Sequence, residues 1–242
     1  MRTLLVICAR RGSQRFKQKH HKLIAGKPLW RYAVDAALGV KNALAVFSSD
    51  DMRINRGLRE ADGRLIVPWV TRPDLMASTT APIHLTLQHA VKHMEAFILG
   101  KFDLVGFIPA NVPTVNTRLI RKCIERMKGF PRMTGVMTVR EVRDKPAWMW
   151  ENDPWEAGLL PAFPELRNGA YREQDLPKQY VATGSVTLVR TEMLMACTSH
   201  KAFEWLGPVI GGVLDENAIE IHVKRDYEIA KALMEDKKCE KI

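Results

Sequence analysis

Arg10, Arg11, Arg15, Lys17 and Lys19 place five cations within ten positions, set around Gly12 and Ser13. Residues of these types at this density could hold a polyphosphate. Guanidinium and ammonium groups neutralise phosphate oxygens, while Gly and Ser let the backbone approach closely and offer N–H groups. On composition alone a solvated basic loop is the plain alternative. The flanking residues add information. Leu4-Leu5-Val6-Ile7 is a continuous apolar run with branched side chains, the pattern of a strand buried on both faces of a parallel sheet. The chain returns through Leu23-Ile24-Ala25-Gly26-Lys27-Pro28-Leu29, whose Gly-Lys-Pro turn opens a helical pattern reaching about Leu38. The loop is thus clamped between two core elements.

Further along, apolar runs alternate with helical patterns, which predicts an α/β fold: a mostly parallel, doubly wound sheet with helices on both faces. Ala43-Leu44-Ala45-Val46-Phe47 is a buried strand that ends in Ser48-Ser49-Asp50-Asp51, either polar groups at the ligand-binding edge of the sheet or a helix N-cap by Ser49 or Asp50. A weaker strand over residues 64–70 feeds Arg72-Pro73 and a hydroxyl-rich loop. A helix over 83–97 turns Ile83, Leu87, Ala90, Val91 and Met94 to the core. Its His84, His89 and His93 have partly helical spacing, which reads as helix surface or edge in preference to a metal site. A strand over 104–108, a helix over 117–128 and a strand over 135–139 continue the alternation, and 183–189 forms another strand. Residues 140–182 break it, because Trp148, Trp150 and Trp155 stand among five prolines, Pro146, Pro154, Pro161, Pro164 and Pro177, which no long helix tolerates. They form an inserted arm within one domain spanning 1–242.

Ala9-Arg10-Arg11-Gly12-Ser13-Gln14-Arg15, then Lys19 and Gly26-Lys27-Pro28-Leu29, resembles the signature of the sugar cytidylyltransferases, which make CMP-sialic acid, CMP-Kdo and related CMP-nonulosonates. The resemblance implies a Rossmann-like, nucleotide-diphospho-sugar-transferase-like fold. It also implies CTP and an acidic sugar as substrates, Mg²⁺ (or Mn²⁺) as cofactor and a homodimer joined through the arm. By position it assigns Ala9, Arg10, Gly12, Ser13, Arg15 and Lys19 to the nucleotide, with Arg10 and Lys19 as the catalytic charges. Arg72, in an Arg-Pro segment like the family's, joins the nucleotide set, as does Asn111. Cys8 departs from the family's Pro, and His20 and His21 stand near its Asn. Pro109 and Asn111 replace the family's Gln and its Thr or Asp.

In the arm, Arg143-Asp144-Lys145-Pro146 resembles the family's Lys-Pro element, and Arg172-Glu173-Gln174-Asp175-Leu176-Pro177-Lys178-Gln179-Tyr180 resembles its R-x-Q-x-L-P-x-x-Y. Lys145, Arg172, Gln174 and Tyr180 follow as sugar-binding candidates. Cations, Arg above all, select a carboxylate, although a salt bridge within the arm would use Lys145 and Arg172 equally well. Residues 218–228 resemble a segment in which two alternating Asp ligate magnesium. Here Glu220 and His222 take those places, and a strand's period of two puts them on one face. Imidazole suits softer metals than magnesium. Asp226 reads as a helix N-cap.

The bounds fit this picture. No apolar run reaches the roughly 18 residues of a membrane span, so a soluble cytoplasmic protein is expected. Cys8, Cys123, Cys197 and Cys239 are scattered without metal-binding or disulfide spacing. A net charge of +10 makes nucleic acid a partner to consider, but the basic residues form no nucleic-acid-binding signature, and Lys237, Lys238 and Lys241 read as a solvated end. Three functions follow in order: CMP transfer to an acidic sugar, a degenerate nucleotide-binding relative with weakened catalysis, and a nucleic-acid-binding protein.

Overall fold

The computed structural model describes residues 1–153, 158–167 and 172–239. Pro154, Trp155 and Lys241 lie outside the described residues, as do the side chains of Lys237 and Lys238. In chain order the elements are β1 (Thr3–Cys8), β2 (Leu23–Ile24), β3 (Lys27–Pro28), α1 (Leu29–Leu38), β4 (Ala43–Ser49), α2 (Met52–Gly57), β5 (Trp69–Thr71), α3 (Asp74–Ala77) and α4 (Ile83–Ile98). Then come β6 (Leu104–Pro109), α5 (Thr117–Gly129), β7 (Gly135–Glu141), β8 (Trp150–Asn152), β9 (Leu159–Pro161), β10 (Tyr180–Arg190), α6 (Thr191–Ala196), β11 (Ile210–Leu214) and α7 (Lys224–Cys239).

Seven strands form the central sheet in the order β11-β7-β10-β6-β1-β4-β5. β1 pairs in parallel with β4 and β6, β4 with β5 and β7 with β11, whereas β10 runs antiparallel to β6 and β7. Alternation along β1 divides its side chains between two cores. Leu5 and Ile7 pack with Trp30, Ala33 and Val34 of α1 and Leu119, Ile120 and Cys123 of α5. Leu4 and Val6 face the other way, to Leu87, Val91 and Met94 of α4 and Leu194 of α6. Each such fully buried aliphatic side chain contributes about 1.5–3 kcal/mol, so the sheet centre is a rigid platform for what leaves its edge. A Cβ on Gly106 of β6 would sit 2.7 Å from Leu5 and 2.8 Å from Leu188, which is why the residue between these two strands carries no side chain.

Several expected elements differ. The weak strand over 64–70 shrinks to Trp69–Thr71, with Leu65 bridging Arg59 instead of joining the sheet. β11 had no alternation to reveal it, since Gly211 and Gly212 sit at its middle. Residues 218–223 are not a strand: Ile221 is held at both its N–H and its C=O by Asn111, and its side chain packs with Ile24, Leu29 and Ala230. Asp51, not Ser49 or Asp50, caps α2 by accepting the Arg53 N–H. Asp226 lies in the first turn of α7 and reaches back to the N–H groups of His222 and Val223, the return half of a capping box. His84 turns inward and is buried.

The arm is bracketed by the pairing of Glu141 with Tyr180, so the two strands extend into both ends of the expected 140–182 span. Between them β8 and β9 make a small antiparallel pair, and Trp148, Trp150, Leu159, Leu160 and Phe163 are exposed. Cys8, Cys123 and Cys197 are free thiols.

Candidate active site

The strands β1, β4 and β6 end side by side, and a cleft of about 370 Å³ opens beyond them. Strand ends at such an edge are where open α/β sheets bind ligands. Four cationic side chains line the cleft, Arg10, Arg15, Lys19 and Arg72, and Glu220 is the carboxylate that faces them.

The basic loop is tied down at many points. Ala9 donates its N–H to Ser48 O, Arg11 N–H bonds the Asp50 carboxylate at 2.8 Å, and Arg10 Nη1 donates to Ser78 O at 2.8 Å. Phe16 packs against Tyr227 of α7 with the rings tilted and 5.6 Å apart, and His21 Nε2 meets Asp51 Oδ2 at 2.8 Å. Ser13 Oγ is buried in the loop with no protein partner, a donor available to a ligand. Gly12 does not line this cleft. It borders a second hollow on the outer side of the loop, with Arg11, Lys17 and Arg56.

Lys19 reaches across to donate to Ile221 O at 2.9 Å, and burial holds its ammonium down at about 8, against the pull of Glu220 and helped by Arg15 and Arg10. A charge held so close to its own deprotonation is available for differential binding of phosphate. Arg72 is only 6 % exposed; its Nη2 donates to Ser48 O at 2.9 Å, its Nε has no partner, and no carboxylate pairs with it among the described residues. A buried guanidinium without a counter-ion is costly unless a ligand supplies the missing acceptors.

The opposite wall is assembled from three distant places. Asn111, just beyond β6, turns its amide nitrogen to Glu220 Oε1 (3.3 Å) and Ile221 O (3.2 Å). Gly184 of β10, at a φ of 70°, leaves a space that a Cβ would fill 2.7 Å from Glu220 Oε2. Glu220 and His222 are neighbours as expected, with Nε2 to Oε1 at 3.2 Å, although an irregular segment and not a strand brings them together. No group of three or more His, Cys, Asp or Glu among the described residues could hold a metal by itself. Glu220 fits a hard cation that takes its remaining ligands from phosphate and water. His222 does not fit the same ion, because its Nδ1 faces Arg15 at 3.2 Å and its Nε2 faces Glu220.

The arm candidates lie elsewhere. Lys145 is buried beside Glu141 at 3.7 Å, a carboxylate it shares with Lys178. Arg172 is spent on a bidentate pair with Asp175 within one turn, and Gln174 is exposed. Tyr180 borders a separate apolar hollow with Met137, Val139, Ile210 and Leu214. The structure therefore places none of these four in the cleft lining. It adds His20, whose Nδ1 lies 3.3 Å from Ala110 O and whose imidazole burial pushes down to about 3, so it lines the cleft as a neutral ring. The only sequence signal for it was its place near the family's Asn.

Fold and cleft together define an α/β protein with a cationic cleft at its strand ends. Residues 4–133, more than half of the chain, match the family model described as cytidylyltransferase, and the chain belongs to that family. It is a nucleotidyltransferase. Over 239 residues it is 28% identical to CMP-N,N'-diacetyllegionaminic acid synthase of Legionella pneumophila, covering 97% of each chain. It is 24% identical over 143 residues to 3-deoxy-manno-octulosonate cytidylyltransferase of Idiomarina loihiensis, covering 58% of this chain and 52% of that one. In architecture it is similar to CMP:2-keto-3-deoxy-manno-octonic acid synthetase complexed with CTP, with TM-score 0.69 and 17% identity over 98% of this chain and 100% of that one. It is also similar to 4-diphosphocytidyl-2C-methyl-D-erythritol synthase of Anaerococcus prevotii, with TM-score 0.66 and 13% identity over 96% and 95%.

Proposed function

We propose that this enzyme transfers CMP from CTP to an acidic sugar of the nonulosonate or Kdo kind, with release of pyrophosphate. One observation carries the proposal. Arg10, Arg15, Lys19 and Arg72 converge on a cleft whose lining includes one carboxylate, an excess of positive charge that suits a triphosphate and an acidic acceptor together. The full-length match to a CMP-nonulosonate synthase points to the same substrates.

In this reaction a sugar hydroxyl oxygen bonds to the α-phosphorus and gives up its proton to water, as the bond to the bridging oxygen breaks and pyrophosphate leaves. The protein's share is alignment and charge neutralisation. Arg10 and Lys19 face the developing charge, Ser13 Oγ offers a donor, and Arg72 takes the acceptors of the nucleotide that its buried guanidinium lacks. Glu220 is the residue that would hold Mg²⁺ or Mn²⁺, which when bound neutralises phosphate oxygens as a Lewis acid. A homodimer is part of the same proposal, supported by the exposed aromatic and aliphatic side chains of the arm. A cytoplasmic location completes it.

The lone carboxylate favours a second reading, a nucleotide-binding relative with reduced turnover. Pyrophosphate release from CTP, a divalent cation and a panel of acidic sugars decides between the two. Release supports transfer. Protection by CTP against thermal unfolding without release supports binding alone; at a concentration 100 times Kd the protection is about 2.7 kcal/mol. Salt-sensitive affinity for DNA or RNA with no response to CTP overturns both.

A further inference from the structure

His222 has both ring nitrogens engaged, and by different walls of the cleft. Arginine carries donors only, so the contact of Arg15 Nη2 with Nδ1 at 3.2 Å makes Nδ1 the acceptor. The ring proton then sits on Nε2, which donates to Glu220 Oε1 at 3.2 Å. Asn111 Nδ2 donates to that same oxygen, and Oε2 lies over Gly184. The carboxylate is thereby held at Oε1 by two donors, with Oε2 beside Gly184, while the Arg15 guanidinium is held by the Nδ1 acceptor.

We propose that His222 is a positioning residue with two separable tasks, presenting Arg15 to the incoming triphosphate and orienting Glu220 for the chemical step. The proposal rests on the cleft being a nucleotide site. A neutral imidazole suits the first task. It holds the guanidinium less strongly than an anion would, so phosphate oxygens take Arg15 over through charge-assisted bonds without having to break an ion pair. It suits the second task because the Nε2 donor stays on Glu220 after Arg15 has left. The backbone keeps the ring in place: His222 N–H is bonded to Asp226 at 2.8 Å, and the neighbouring Ile221 is held by Asn111 and by Lys19.

The two tasks come apart in variants. The amide oxygen of His222→Asn takes the place of Nδ1, the amide nitrogen of His222→Gln takes that of Nε2, and His222→Ala has neither. CTP affinity is measured by calorimetry with and without Mg²⁺, and kcat and KM by pyrophosphate release. His222→Asn is expected to keep CTP affinity within about twofold and lose kcat by roughly tenfold, the effect of one hydrogen bond to a charged group. His222→Gln is expected to do the reverse, and His222→Ala to lose both. A wild-type protein that binds no CTP sinks the nucleotide reading and this proposal with it. A wild type that binds CTP, with Asn and Gln variants that move affinity and turnover in parallel or not at all, sinks this proposal alone. The nitrogen-15 shifts of the imidazole give a check that needs no variant: the Nε2-protonated ring is expected before CTP is added, and an Nδ1-protonated ring overturns the assignment.

Discussion

The two walls of the cleft are built by opposite means. The cationic wall comes mostly from one stretch, residues 9–19, which leaves the most buried strand of the sheet and is tied back to β4, to Asp50 just beyond it and to α7. The other wall brings together Asn111, Gly184, Glu220 and His222, so its geometry exists only once the chain has folded. The first wall keeps its charge wherever the backbone runs, while the second depends on hydrogen bonds slightly longer than 3 Å and on a glycine-sized space. Binding should therefore rest mainly on the first wall and turnover on Glu220 in the second, with His222 the link between them.

That division can be broken at its strongest point. Lys19→Met is expected to lower pyrophosphate release by about 100-fold or more, the loss typical of one preorganised donor, and to weaken CTP binding as well. Glu220→Gln should lose release while keeping CTP affinity within a few fold. If calorimetry shows both variants equally unable to bind CTP, the walls are not separate. Next in size is Gly184→Ala, which combines a φ of 70° with a contact to Glu220 Oε2 and should cost about 1–3 kcal/mol in urea unfolding.

The pH profiles sharpen the contrast. Lys19 loses its proton near 8, so kcat/KM of the free enzyme should fall as pH rises through that value. In Lys19→Arg the fall should move to higher pH. His20 acts on stability instead. Its unfolded imidazole takes a proton near 6.5 while the folded one resists until about 3, so the unfolded state binds more protons in between and the unfolding free energy drops as pH falls through that window. His20→Gln should flatten that slope. The smallest effect is Gly12→Ala, where a Cβ meets nothing within 4 Å; stability should change by less than about 0.5 kcal/mol.

Legibility follows the same line between contiguous and assembled. The strand around Leu4–Ile7, the helix at Leu29–Leu38 and the basic loop could be read because periodicity and charge density are local properties of a sequence. β11 could not, since Gly211 and Gly212 carry no pattern. Ile219 and Ile221 alternate with polar residues as a strand would, yet the apolar side chains serve a small core under α7. Arg172 fits a carboxylate in type, but Asp175 three residues away satisfies it first. His20 gave almost no signal because nothing in a histidine's neighbours announces burial.

The pairing of Glu141 with Tyr180 has a consequence for how this scaffold can change. Both ends of the arm are stapled to each other by the sheet, so the arm hangs from the central sheet like an interchangeable head on a fixed handle. Doubling the length of such a loop adds only about 0.6 kcal/mol of closure cost. Exchanging the arm for one of different size and surface is therefore a route to new acceptors or new assemblies that leaves the nucleotide end of the tool untouched.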